Sequence, residues 1–240
     1  MPLLEVSGLS RSFGGLRAVR DVSFQVEQGT VVGLIGPNGA GKSTLFNLIA
    51  GALKPDAGSV VFAGRHTTGQ PTHTIARLGL ARTFQLTRPF LALSVLDNVA
   101  VAALSQRASL HAARAEDHDL LDMLGLGQWA SQPAAVLSTA GRKRLEVARA
   151  LALRPRMLLL DEVLAGLIPS ERHRMIDVLR RLREEGITML FVEHVMAAVM
   201  ALSNRILVLH HGELLADGTP DEVTHDPRVI EAYLGEEELV

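Results

Sequence analysis

Val31–Ile35 is an unbroken apolar run that leads directly into Gly36-Pro37-Asn38-Gly39-Ala40-Gly41-Lys42-Ser43-Thr44 and then Leu45-Phe46-Asn47-Leu48-Ile49. Apolar residues without polar alternation predict a strand buried on both faces, as in parallel sheets covered by helices. The glycines stop that strand and the apolar residues after Thr44 open a helix, so strand, glycine loop and helix follow in the order of an α/β fold. Gly36, Gly41, Lys42 and Ser43 have the spacing of a phosphate-binding loop. Glycines let successive backbone N–H groups converge on a β-phosphate, and the helix N-terminus adds a favourable dipole. Lys42 then reaches the β- and γ-phosphates, and the Ser43 hydroxyl offers an oxygen to Mg²⁺. The bland alternative is a glycine turn that contains Lys-Ser by chance. The chain has three lysines, Lys42, Lys54 and Lys143, so chance gives such a match on the order of once in several hundred sequences of this composition.

Further strands extend the same pattern. Met157 to Leu160 and Ile187 to Val192 are buried-type runs, and Asp21 to Glu27 alternates with Val22, Phe24 and Val26 on one face. Met175, Val178, Leu179 and Leu182 recur at helical spacing before Gly186, where a helix would stop. Arg205 to His210 and Glu213 to Ala216 flank the turn His211-Gly212 and predict a hairpin. Pro89 to Pro133, rich in Ala and Leu, reads as a helical insertion. The 240 residues suit one folding unit.

Composition narrows the chemistry. With 24 basic against 26 acidic residues the chain lacks the cationic excess of nucleic-acid binders. It has no cysteine, so disulfides, thiolate metal sites and thiol nucleophiles are excluded. The longest apolar run, Val195 to Leu202, falls far short of the ~20 residues that cross a bilayer, so membrane association is expected only through a partner. The N-terminal residues lack the apolar stretch of an export signal, which predicts a cytoplasmic location.

The second buried run ends in Asp161-Glu162, at the carboxyl edge where open α/β sheets bind ligands. Asp161 suits the Mg²⁺ hydration shell, and Glu162 suits polarising a water for in-line attack on the γ-phosphate. The order of phosphate loop, Gln85 in Ala81-Arg82-Thr83-Phe84-Gln85, Leu137-Ser138-Thr139-Ala140-Gly141, Asp161-Glu162 and His194 resembles ABC ATPases over essentially the whole chain. Gly79 to Gln85 and Leu93 to Val99, with Gly212-Glu213, Ala216 to Pro220 and Glu231 to Gly235 in the tail, are similar to the ATP-binding subunits of branched-chain amino acid permeases, and several of these features also occur in lipopolysaccharide-export ATPases.

The resemblance implies a P-loop NTPase with a RecA-like core, an antiparallel β subdomain and a helical subdomain: 1–87 and 156–240 as core, 88–155 as helical subdomain with the signature. It implies ATP and Mg²⁺ as cofactors, Phe13 stacked on adenine, Gln85 touching both the Mg²⁺ site and the membrane partner, and His194 at the γ-phosphate. Ser138 and Ala140 of the signature would meet the ATP of an opposing subunit. The implied partners are integral membrane permease subunits and a second ATPase, identical or different, on the cytoplasmic face of the inner membrane. Import of branched-chain or related amino acids is the expected task, with lipopolysaccharide-type export or a weakly hydrolysing nucleotide module as alternatives. Thr139 and Ala140 stand where the usual signature, Leu-Ser-Gly-Gly-Gln, has glycines, and their side-chain carbons would crowd the opposing nucleotide. Ile168 and Val195 replace residues that are usually polar. The Arg142-Lys143-Arg144 run reads as a solvated helix face.

Overall fold

The computed structural model describes residues 1–84, 87–104 and 110–237. The chain opens with β1 (Leu4–Phe13), β2 (Leu16–Val26), β3 (Val31–Ile35) and α1 (Lys42–Ile49), followed by β4 (Ala57–Phe62), β5 (Arg65–His66), α2 (Thr72–Arg77) and β6 (Leu80–Arg82). Helices α3 (Val95–Ala103), α4 (Leu110–Met123) and α5 (Thr139–Leu151) come next. Then follow β7 (Met157–Asp161), α6 (Pro169–Glu184), β8 (Thr188–Val192), α7 (Met196–Leu202), β9 (Arg205–His210), β10 (Glu213–Gly218), α8 (Pro220–Thr224) and α9 (Pro227–Glu237).

The six-stranded sheet has the order β10-β9-β3-β8-β7-β6. Its strands β9, β3, β8, β7 and β6 run parallel, and β10 closes the edge as an antiparallel hairpin with β9. Both faces are covered, which is why these strands are continuously apolar. In β3, Val31 and Ile35 enter the core beneath the helices while Val32 and Leu34 enter a second core on the opposite face. Leu158 and Leu160 against Met157 and Leu159, and Met189 and Phe191 against Leu190 and Val192, divide in the same way. The period of two thus persists inside a run where every residue is apolar.

Each face has its own cover. Helix α6 buries Met175, Val178, Leu179 and Leu182, the stripe that the sequence spacing predicts. Each such side chain contributes roughly 1.5–3 kcal/mol of apolar burial. On the other face α1 and an antiparallel sheet of order β2-β1-β4-β5 close the second core.

Two N-terminal strands differ from the sequence expectation. Strand β2 begins at Leu16, five residues ahead of the alternation at Asp21, and β1 carries no clean alternation. Both strands are bulged: their register shifts between Val6 and Leu9 and again near Arg11, with Gly8 and Asp21 at positive φ. An inserted residue reverses the facing of all that follow, which hides the period in the sequence.

The parallel register brings the strand ends level. Leu34 of β3 pairs with Val192 of β8, and Val192 pairs with Asp161 of β7. Loops after β3, β6, β7 and β8 therefore leave the same edge of the sheet, and these loops hold the sequence motifs. Among the described residues no helix is long and apolar enough to cross a membrane.

Candidate nucleotide site

The loop after β3 is shaped by two close backbone approaches. Gly36 (φ 148°) lies against the Leu209 carbonyl and Gly41 (φ 101°) against the Ala18 carbonyl, so a Cβ at either would collide with backbone. Gly41 is also the residue ahead of α1, whose first residue is Lys42. Lys42 is buried and its Nζ donates to the carbonyls of Gly36 (2.6 Å) and Pro37 (2.8 Å), holding the ammonium over the loop. Asn38, Gly39, Ala40, Gly41, Lys42, Ser43 and Thr44 line a cleft of about 410 Å³ together with Phe13, Leu16, Ala18, Glu162 and His194. The half-exposed Phe13 forms the apolar end, with the Arg11 guanidinium 5.0 Å from its ring centroid. Gly36 and Pro37 lie buried behind the loop.

Opposite the phosphate loop, β7 and β8 deliver the acidic and basic groups. Glu162 has φ 49°, a left-handed conformation that is strained for a residue with a side chain. Its N–H donates to the Val192 carbonyl at 3.0 Å, and its Oε1 lies 3.0 Å from His194 Nε2. The two side chains thus form one pair at the mouth of the cleft.

Asp161 faces a second, adjoining cleft of about 440 Å³ that also contains Ser43, Asn47, Arg82, Phe84, Arg88, Glu146 and Arg149. Its Oδ2 accepts from Arg82 at 2.8 Å, and Arg82 donates as well to Asn47 Oδ1 at 2.5 Å. Asp161 Oδ1 is buried and has no hydrogen-bond partner among the described residues. An orphaned carboxylate oxygen and a serine hydroxyl sharing one cleft form a hard-oxygen donor set that suits Mg²⁺.

The loop from Glu162 to Ile168 is tied down from two sides. Lys143 Nζ donates to the carbonyls of Glu162 (2.8 Å) and Ala165 (2.5 Å), and Glu193 Oε1 accepts from the Leu164 N–H at 2.7 Å. Burial pushes the Glu193 carboxyl up to about 7 and draws the Lys143 ammonium down, and in both groups it outweighs their mutual attraction.

The Arg142-Lys143-Arg144 run is therefore not a solvated face. Arg142 donates to the Ala135 carbonyl and Arg144 to those of Leu124 and Gly125, so each cation satisfies a loop backbone. Spacing alone could not reveal this, because the carbonyls lie 7 to 22 positions away in segments outside the helix.

The signature helix α5 begins with Ser138 as N-cap, its hydroxyl accepting from the Gly141 N–H at 3.1 Å. Thr139 is exposed, whereas Ala140 turns into the core at 2% exposure. Of the two replaced glycines, only Thr139 presents its side chain outward, and Ala140 can offer a ligand no more than backbone. Ile168 stands 59% exposed ahead of α6, without a polar group to cap it. Gln85 lies outside the described residues.

Sequence reasoning brought together the phosphate loop, Phe13, Asp161, Glu162 and His194, and the structure gathers them around adjoining clefts. It missed Arg82, Asn47, Lys143 and Glu193. The one available signal was position: Arg82 and Glu193 are charges that terminate or follow apolar strands.

Residues 19–165 match the ABC transporter family, and residues 213–238 match the branched-chain amino acid ATP-binding cassette transporter family. The chain belongs to the ABC transporter ATP-binding family. Its activity is ATP hydrolysis coupled to transport, and its nucleotide is ATP. It is 41% identical over 98% of both chains to the high-affinity branched-chain amino acid transport ATP-binding protein LivG of Salmonella typhimurium, and likewise to BraF of Pseudomonas aeruginosa. Among solved structures, a nucleotide-free ATP-binding cassette from an ABC transporter superposes with a TM-score of 0.88 at 30% identity, covering 97% of this chain and 99% of that one. The ADP conformation of MJ1267, an ATP-binding cassette of an ABC transporter, also gives 0.88, at 31% identity and 98% and 99% coverage.

Proposed function

We propose that this ABC ATPase binds MgATP along the edge of β3, β7 and β8, hydrolyses it with Glu162 as base, and drives membrane permease subunits that import branched-chain amino acids. The observation that carries the catalytic part is the Glu162–His194 pair, 3.0 Å apart and facing the phosphate loop across one cleft. Phe13 supplies a stacking face for adenine, residues 36 to 44 wrap the phosphates in backbone N–H groups, and Lys42 moves its ammonium from loop carbonyls to phosphate oxygens. Ser43 and Asp161 would hold Mg²⁺, which when bound neutralises charge on the β- and γ-phosphates. Glu162 accepts a proton from the water that attacks the γ-phosphorus, and His194 orients that carboxylate. The N-terminal end of α5, with Ser138, serves the ATP of an opposing subunit, so two chains enclose two nucleotides.

The cargo is inferred from the relatives named as branched-chain amino acid transport proteins and from the matching C-terminal segment. The permease would dock on the surface that Phe84, next to Gln85 in the chain, and Phe90 expose, with Arg88 and Arg149 lining the cleft at Phe84 and Arg149 over the Phe90 ring. That docking puts the chain on the cytoplasmic face of the inner membrane, with residues 88–155 acting as the helical subdomain. The outward Thr139 and the exposed Ile168 favour pairing with a different ATPase that carries an unmodified signature. Co-assembly with that second ATPase should raise the ATPase rate above either chain alone, and an unchanged rate would refute the pairing. The overall reading is tested by leucine uptake in cells lacking this chain. Uptake should fall and return with the native chain but not with Glu162→Gln, and undiminished uptake in the deletion would refute the assigned cargo.

A further inference from the structure

The turn that carries Glu162 is short, strained and held from outside. Glu162 sits at φ 49°, a conformation that costs on the order of 1–3 kcal/mol and persists only where the surroundings impose it. Three backbone groups of the turn are claimed by side chains from other elements. Lys143, one turn into α5 from Ser138, takes the carbonyls of Glu162 and Ala165. Glu193, the residue between β8 and His194, takes the N–H of Leu164. Glu193 is 2% exposed, and its Oε2 has no hydrogen-bond partner among the described residues. Burying a carboxyl with one oxygen left unpaired is expensive.

We propose that Lys143 and Glu193 are positioning residues that fix the turn bearing Glu162, so that the helix headed by Ser138 and the strand ending at His194 grip one catalytic base together. The inference rests on Glu162 being the base. It goes beyond that reading by joining two functions within a subunit. Ser138 at the head of α5 would meet the ATP of an opposing subunit, while Lys143 on the same helix holds the chain's own base. A shift of α5 on engaging that nucleotide is transmitted through one ammonium to the carbonyl of Glu162. The Glu193 contact supplies a second grip, on the Leu164 N–H that lies between the two carbonyls along the turn.

The test uses the full chain, with steady-state ATPase kinetics, calorimetry of MgATP binding and thermal melting. Lys143→Met is expected to lower kcat about 10- to 100-fold, the range for a misplaced reacting group, with MgATP affinity within about twofold of native. Lys143→Arg should recover most of the loss, since a guanidinium can also donate to two carbonyls. Glu193→Leu should lower kcat similarly, and Glu193→Gln, which keeps an acceptor for Leu164, should recover most of it. Glu162→Gln runs in parallel. If it is inactive while Lys143→Met and Glu193→Leu retain native kcat, the positioning role is overturned and the base assignment survives. If Glu162→Gln hydrolyses ATP at the native rate, the base assignment itself falls. Should Lys143→Met fail to fold, Glu193→Leu decides alone. Failure of both to fold, or equal losses of kcat and nucleotide affinity without rescue by Arg or Gln, would assign the pair to stability and overturn the proposal.

Discussion

Replacing Glu193 by Gln removes a titration that the fold makes unfavourable, and the consequence can be worked out in sign and size. Burial raises this carboxyl from an ordinary value near 4.5 to about 7. Below a pH of about 4.5 the folded and unfolded chains both hold the proton, and the group is indifferent to folding. Between about 4.5 and about 7 the unfolded chain releases a proton that the folded chain keeps, so rising pH lowers stability by up to ~1.4 kcal/mol per pH unit. Above about 7 both forms are ionised and the loss is complete, at about 3 kcal/mol. Glutamine matches the volume and keeps an acceptor for the Leu164 N–H, and its amide adds a buried donor at every pH. The stability of Glu193→Gln relative to the native chain should therefore rise by about 3 kcal/mol between a pH of about 4.5 and about 8. In melting temperature this is a relative gain on the order of 6–12 °C for a chain of this size. Glu146, whose carboxyl is also raised by burial, titrates in both proteins and cancels in the difference. Urea denaturation of both proteins at several pH values across this window measures it. Stability curves that stay parallel over the window would refute the argument that burial governs this carboxyl.

Three further perturbations test the site. Glu162→Gln should lower kcat by about a hundredfold or more while leaving MgATP binding intact by calorimetry, and a small fall in kcat with weakened binding would contradict its role. Gly36→Ala would drive a methyl into the Leu209 carbonyl at a left-handed φ. It should destabilise the chain by more than about 2 kcal/mol, and an unchanged urea midpoint would show that the loop has room to move. Arg82→Met removes the partner of a buried carboxylate, so unfolding free energy at neutral pH should fall by about 3 kcal/mol. A loss below about 1 kcal/mol would mean that Asp161 is solvated or otherwise paired.

The sequence marked those parts of the fold whose physics is local. The apolar run of β3, the glycine loop and α1 are contiguous, and their hydrogen bonding and steric demands act over a few residues, so order and spacing were enough. The same holds for the α6 stripe and the β9–β10 hairpin. Bulges defeated the reading of β1 and the start of β2, because one inserted residue inverts the facing of a strand without changing its composition.

Arg82 meets Asp161 across 79 positions, Leu164 meets Glu193 across 29 and Lys143 meets Glu162 across 19. Which side chain arrives at which backbone group depends on how β6, β7 and β8 register and on where α5 lands against them. The basic run on α5 therefore reads as solvent-facing until its carbonyl partners are known, and the Ala140 methyl reads as outward-facing until the core claims it. Chain order alone determined that a phosphate loop would stand beside an acidic strand end. Only tertiary packing, which joins groups far apart in sequence and takes them out of water together, decided what holds those acids in place.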